Sequence, residues 1–441
     1  MIVSCLIDAY FYSQILKIAL FLVLIIFPMG ILPAFAEPVV NDQNFVVEKF
    51  VTGIENSPTT MAFVGNDILV LQKSDGKVRV VRDGVLQEKP VLDVNVRGLA
   101  EQGMLGITTV GSTVYLYFTE AAQDGGESIG NHIYRYDWNG QELVNPVLVK
   151  TLPGAQFYHN GGAMVTGLDG TVYAVIGDQG NYGLLQNYPV GGIDDTSVIL
   201  RVAPEGPYYA MGVRNSFGLA IDPVTGNLWD TENGDDDFDE VNLVLPNSNS
   251  GWDVIMGPAT EDELKRLPGY AGYVYNDPEF SWQQVVAPTA IIFVDSKPFE
   301  KYKDTVFVGD CIYGNLYNFK LNSDRTGFVF ADSALSDNVV NTGESMDEIL
   351  FGTGFGCLTD MEVGSDGLLY IVSLSDGVIY RITPKEMLTT TTPETTKEIV
   401  TETTPPTNTS IQYVIYAIIA AAIITSVLYV AKSRRKVTKE V

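Results

Sequence analysis

A two-strand unit recurs six times between Glu37 and Met387, and this recurrence limits the fold more than any other feature of the chain. Each copy is a Gly, Asp or Asn turn, a short β-branched or aromatic run, a second turn and a second run. The copies are 65–71 with 75–81, 112–118 with 133–136, 169–175 with 198–202, 226–229 with 240–244, 304–308 with 314–319, and 366–372 with 377–382. Short apolar runs bounded by turn residues, with no long helical period between them, read as strands. Six such units spaced about 50 to 75 residues apart suit an all-β, six-bladed β-propeller, in which radial repetition shields the sheet edges. A propeller presents loops from several blades at one end of its axis. Functional residues should therefore be scattered along the chain, one cluster per blade.

The two ends lie outside this repeat. Lys17, the apolar run 18–32 and the small-x-small triplet Ala34-Phe35-Ala36 read as a secretory signal peptide over 1–36. The propeller is expected over 37–387, followed by a Thr/Pro-rich stalk at 388–410 with too little apolar content to fold. Residues 411–431 are apolar and long enough to span a bilayer as one helix. Lys432, Arg434, Arg435, Lys436 and Lys439 follow at once, so 432–441 reads as a cytoplasmic tail. The expected location is the cell membrane, single-pass, with the propeller on the extracellular face. A formal net charge of −27 argues against nucleic acid as a partner and favours cation binding. Of three cysteines, Cys5 leaves with the signal; Cys311 and Cys357 remain in an oxidising compartment, where one disulfide is natural but spacing does not prove it.

Four segments carry chemistry. His159, one of two histidines, precedes Gly161 and Gly162 and a strand-forming run. Imidazole suits proton abstraction near neutrality, although a lone histidine is also a common core residue bonded to a carbonyl. Glu101-Gln102-Gly103-Met104-Leu105-Gly106 enters the second unit. Arg214, beside Asn215 and before an apolar run, offers a planar fork for an electron-rich group, or else bonds blade carbonyls. Gly234 and the acidic run 235–240 supply hard oxygen donors suited to calcium and not zinc, or else form a solvated loop.

Taken in order, EQGMLG at 101–106, HNGGAM through GDQG at 159–180, GVRNSFGLAID with GNLW at 212–229, and ENG with DEVNL and GW at 232–252 resemble the glucose/sorbosone dehydrogenase family. The likeness covers roughly Asn44 to Pro384. It implies oxidation of a sugar at its C1 hydroxyl, with pyrroloquinoline quinone (PQQ) and Ca2+ as cofactors. By the same resemblance His159 is the base, Arg214 and Asn215 contact the quinone oxygens, and Glu101 or Gln102 borders the sugar. The carbonyls of Gly234 and Asp235 hold one calcium, and Asp239 and Glu240 with the Ser250 carbonyl lie at another. The chain departs from the family where a lysine of blade five and two arginines of blade six anchor the quinone's three carboxylates. The corresponding blocks, 309–314 and 356–361, contain no basic residue and instead carry Cys311 and Cys357, which the alignment brings to the axis as a bridge between blades. Three functions are thus expected to compete: a membrane-anchored PQQ/calcium aldose dehydrogenase, a calcium-stabilised surface binding module that has lost the quinone, and a calcium-dependent hydrolase. The sequence points to no particular sugar or electron acceptor.

Overall fold

A computed structural model of the chain describes residues 37–153, 156–180, 187 and 195–389. The chain divides into two compact units, Met1–Thr390 and Thr391–Val441, and all described residues belong to the first. The signal peptide, the transmembrane helix, the tail and the stalk beyond its first two residues lie outside the described residues. Residues 388 and 389 end a short helix, Lys385–Thr389. Among the described residues no helix is long and apolar enough to cross a membrane.

The twelve runs that define the sequence repeat are the second and third strands of six sheets. Each sheet adds an innermost strand that the repeat did not reveal: Pro58–Val64, Met104–Val110, Met164–Thr166, Ser216–Ile221, Pro288–Phe293 and Leu358–Val363. Each innermost strand touches the one before and the one after it, and Leu358–Val363 returns to Pro58–Val64, so the six close into a ring about an axis. This is a β-propeller.

The outer edges are laced. Phe45–Val51, from the start of the chain, pairs antiparallel with Val378–Pro384 and forms the outermost strand of the last blade. Val39–Val40 pairs with Leu350–Thr353 in blade five. Blade three borrows Ser248–Asn249 and Val274–Tyr275, and blade four borrows Val339–Val340, all through parallel pairs. Between blades four and five the core is aromatic: Trp229 meets Phe293 at 6.0 Å, Trp282 meets Tyr317 at 5.3 Å and Phe280 meets Phe319 at 4.8 Å between ring centroids. Such pairs add about 0.5–1.5 kcal/mol each beyond their burial. This packing fixes how far each blade turns from the next, and so fixes the loops at the axis.

Candidate active site

The site lies where the innermost strands begin. Glu101 and Gln102 precede Met104–Val110, His159 precedes Met164–Thr166, Arg214 and Asn215 precede Ser216–Ile221, and Cys357 precedes Leu358–Val363. The ends of the second strands face them, bringing Lys73 after Asp67–Gln72, Asp178 after Val172–Ile176, Asn233 after Leu228–Glu232 and Cys311 after Thr305–Asp310. A half-open cavity of about 290 Å3 lies on the axis at this end, and every blade lines it, through Lys73, Glu101, Gly161, Phe217, Cys311 and Cys357 among others.

His159 is held from three sides. Its Nδ1 lies 2.5 Å from Oδ1 of the fully buried Asp178, whose Oδ2 accepts the Trp252 Nε1–H at 2.6 Å. The Gly180 N–H donates to Asp178 Oδ1 at 2.8 Å, and the His159 N–H donates to Glu101 Oε2 at 2.5 Å. Glu101 Oε2 also accepts from Asn215 Nδ2 at 3.2 Å, tying the histidine to the cavity wall. With Nδ1–H committed to a carboxylate, the ring presents Nε2 as its basic nitrogen, which has no protein partner among the described residues. The backbone here turns left-handed, with His159 at φ 60° and Gly162 at φ 110°. A Cβ on Gly177 would lie 2.7 Å from the His159 carbonyl oxygen and 2.5 Å from that of Arg214, so glycine lets the two segments meet. Asp178 and Trp252 carry no assigned role in the sequence reading. The signal was available, since both sit inside the GDQG and GW blocks.

Arg214 is buried and spent mostly on its own blade. Nη1 donates to the carbonyls of Asn233 and Gly234 at 2.9 and 2.6 Å, Nη2 pairs with Asp235 Oδ1 at 2.9 Å, and the guanidinium lies 5.1 Å from the Trp252 ring centroid. Its N–H donates to Glu232 Oε1 at 2.6 Å. The polar atoms left over are Arg214 Nε, Asn215 Oδ1, Asn233 Oδ1 and Glu232 Oε2, all buried and without a protein partner among the described residues.

The acidic loop does not gather as a cage of side chains. Asp235 serves Arg214. Asp239 Oδ1 accepts the Gly234 N–H at 2.8 Å, and its Oδ2 accepts those of Val286 and Ala287 at 2.6 and 2.7 Å. Glu240 Oε1 accepts the Gly257 N–H at 2.5 Å, and its Oε2 accepts from Asn242 at 3.2 Å. The Ser250 N–H donates to the Met211 carbonyl at 2.9 Å. Among the described residues no three His, Cys, Asp or Glu side chains cluster as metal ligands. Behind the loop, Asp230, Glu232 and Glu240 face one another on blade four. Burial pushes Asp230 up to about 7 and Glu240 up to about 8, and it raises Glu232 well above the usual carboxylate range, with the two neighbouring charges adding to the effect.

At the opposite wall Cys311 and Cys357 form a disulfide joining blades five and six. Lys73 is the one lysine or arginine lining the cavity. Burial pulls its ammonium below the usual lysine value, against the opposing charge of Glu101. Sequence reasoning missed Lys73 because it sits in blade one, away from the blocks where cations were sought.

The fold is a β-propeller with an axial cavity, and the comparisons place the chain in a family of sugar dehydrogenases. The glucose/sorbosone dehydrogenase family model matches residues 55–381, and the chain belongs to that family. It is 22% identical over 365 residues to a Synechocystis protein of unassigned function, covering 73% of this chain and 82% of that protein. It is 23% identical over 196 residues to the aldose sugar dehydrogenase YliI of Escherichia coli, covering 44% of this chain and 48% of that enzyme. The PQQ-bound aldose sugar dehydrogenase of Streptomyces coelicolor superposes with a TM-score of 0.57 at 23% identity, covering 79% of this chain and 99% of that one.

Tested against these residues, the two cofactors fare differently from the base. Arg214 and Asn215, expected to contact the quinone oxygens, do not line the cavity, and Arg214 Nε and Asn215 Oδ1 are fully buried. A group with three carboxylates does not fit, because Lys73 is the single cation in the lining and Glu101 stands near it. Segments 154–155 and 181–194 contain no lysine or arginine. At the expected calcium carbonyls, that of Gly234 accepts from the Arg214 guanidinium, which also pairs with the Asp235 carboxylate.

Proposed function

We propose that this chain is an extracellular aldose dehydrogenase, tethered to the cell membrane by the helix at 411–431, in which His159 takes the proton of the sugar's C1 hydroxyl. The His159–Asp178–Trp252 chain carries this reading. A buried carboxylate fixes the imidazole in one tautomer and stabilises the imidazolium that forms when Nε2 accepts a proton. Glu101, which holds both the His159 backbone and Asn215, borders the cavity where the sugar would sit, next to Gln102. Family membership supports sugar oxidation with a quinone acceptor.

The test is dye-linked oxidation of a panel of aldoses by the purified chain. His159→Ala and Asp178→Asn are expected to lower kcat by roughly 10²- to 10⁴-fold with unchanged melting curves. Full turnover in His159→Ala would remove His159 from the reaction. A second reading, a surface module that binds sugars without oxidising them, is favoured by the shortage of cations in the cavity. It predicts sugar binding with no turnover under any quinone.

A further inference from the structure

We infer that the axial cavity takes a flat quinone of low charge in place of a tricarboxylate, a specificity that rests on the dehydrogenase reading above. The wall from blades five and six is apolar: Leu374, Ala287 and the Cys311–Cys357 disulfide lie where anionic groups would need cations. Lys73 reaches the same cavity, but Glu101 lines it too, so the two cancel. Arg97, the next cation of blade two, lies 5.3 Å from the Phe157 ring centroid. Phe157 and Tyr158 are exposed beside the histidine, and Ile312 and Tyr313 are exposed beside the disulfide, so these aromatic and aliphatic groups continue the apolar character outward. Apart from Lys73 and Glu101, every residue of the lining is uncharged, which suits a neutral ring and leaves three carboxylates without counter-charges. A molecule of net charge −27 adds a long-range repulsion toward any polyanion. With such a quinone bound, oxidation would move the sugar's C1 hydride to one quinone carbonyl. The hydroxyl proton, taken first by His159, would end on the other oxygen, so one aldose and one quinone would give one lactone and one hydroquinone.

Charge can be separated from ring shape by titrating the full-length chain in detergent with PQQ and with its trimethyl ester, calorimetrically, against detergent blanks. The ester is expected to bind at least tenfold tighter at low ionic strength. Raising salt should strengthen binding of the tri-acid, by screening repulsion, and leave the ester unchanged. Leu374→Arg, which adds a guanidinium beside the disulfide, should raise affinity for the tri-acid about tenfold or more and leave the ester within twofold. The wild-type salt series stands independently if that variant melts early. Equal or tighter binding of the tri-acid, weakening with salt, would overturn the inference and leave sugar oxidation standing. If neither form binds while aldoses are still oxidised, the quinone assignment is wrong but the dehydrogenase is not. If neither binds and no aldose is oxidised, both fall.

Discussion

Asp178 shows how a single residue can set the chemistry of another. Its two oxygens take the His159 ring, the Trp252 indole and the Gly180 amide, so it cannot rotate without breaking buried hydrogen bonds. Asparagine at this position keeps the shape but donates toward a ring nitrogen that should itself donate. The pH profile of any residual activity in Asp178→Asn should therefore shift, not merely shrink. Arg214 illustrates the reverse case, a residue whose charge is used locally. Because its guanidinium occupies the Gly234 carbonyl and the Asp235 carboxylate, removing calcium with a chelator is expected to leave the melting temperature of the wild type within about 1 °C. A fall of several degrees would mean that calcium and not Arg214 organises this loop. His159 stood out in the sequence as a candidate base ahead of Gly161 and Gly162, and the structure sets its ring against Asp178. Its partner was less so, since nothing along the chain reveals that residue 178 lies beside residue 159.

At the scale of elements, blade four carries an unusual burden. Asp230, Glu232 and Glu240 face one another with their ordinary acidity suppressed by burial. In the unfolded chain they lose their protons near pH 4, whereas in the fold Asp230 holds its proton to about 7 and Glu240 to about 8. Between those limits the folded state binds more protons than the unfolded, so stability falls as pH rises. The melting temperature is expected to drop from pH 5 to pH 8.5. Glu240→Gln, which keeps an acceptor for Gly257, should recover part of the loss at pH 8.5 and change little at pH 5. The bridge between blades five and six gives a second prediction at this scale. Its 46-residue separation corresponds to about 4 kcal/mol of loop entropy, so Cys311→Ser should lower unfolding free energy by roughly 2–4 kcal/mol in denaturant titrations. The second and third strands of every blade were readable because their apolar runs are punctuated by turns. The innermost strands were not. Residues such as Gly106, Thr108, Gly218 and Thr289 must be small or polar where six strands converge, which erases the alternation that marks a strand elsewhere.

At the scale of the molecule, the ring is completed by residues from opposite ends of the sequence. Phe45–Val51 covers the edge of Val378–Pro384, and Phe45 packs within 4.9 Å of Phe299, measured between ring centroids. Removing residues 37–51 is expected to abolish cooperative melting and to promote aggregation on a sizing column, because two edges are then left unpaired. The architecture was legible from the period of the repeat. The lacing was not, since two-residue parallel pairings such as Ser248–Asn249 with Val274–Tyr275 leave no trace in composition.

The same closure bears on how the tethered chain would respond to mechanical force. The strand that leads toward the proposed anchor, Val378–Pro384, is not an edge: Leu369–Ser373 flanks it on one side and Phe45–Val51 on the other. Where it leaves the sheet, the Lys385 N–H still donates to the Asn44 carbonyl at 2.8 Å. If the chain is tethered as proposed and force is drawn along this strand, both ladders are loaded together in shear and not peeled singly. Under such a tether, the strand that bears the load would be one held on both sides, away from the loops at the axis.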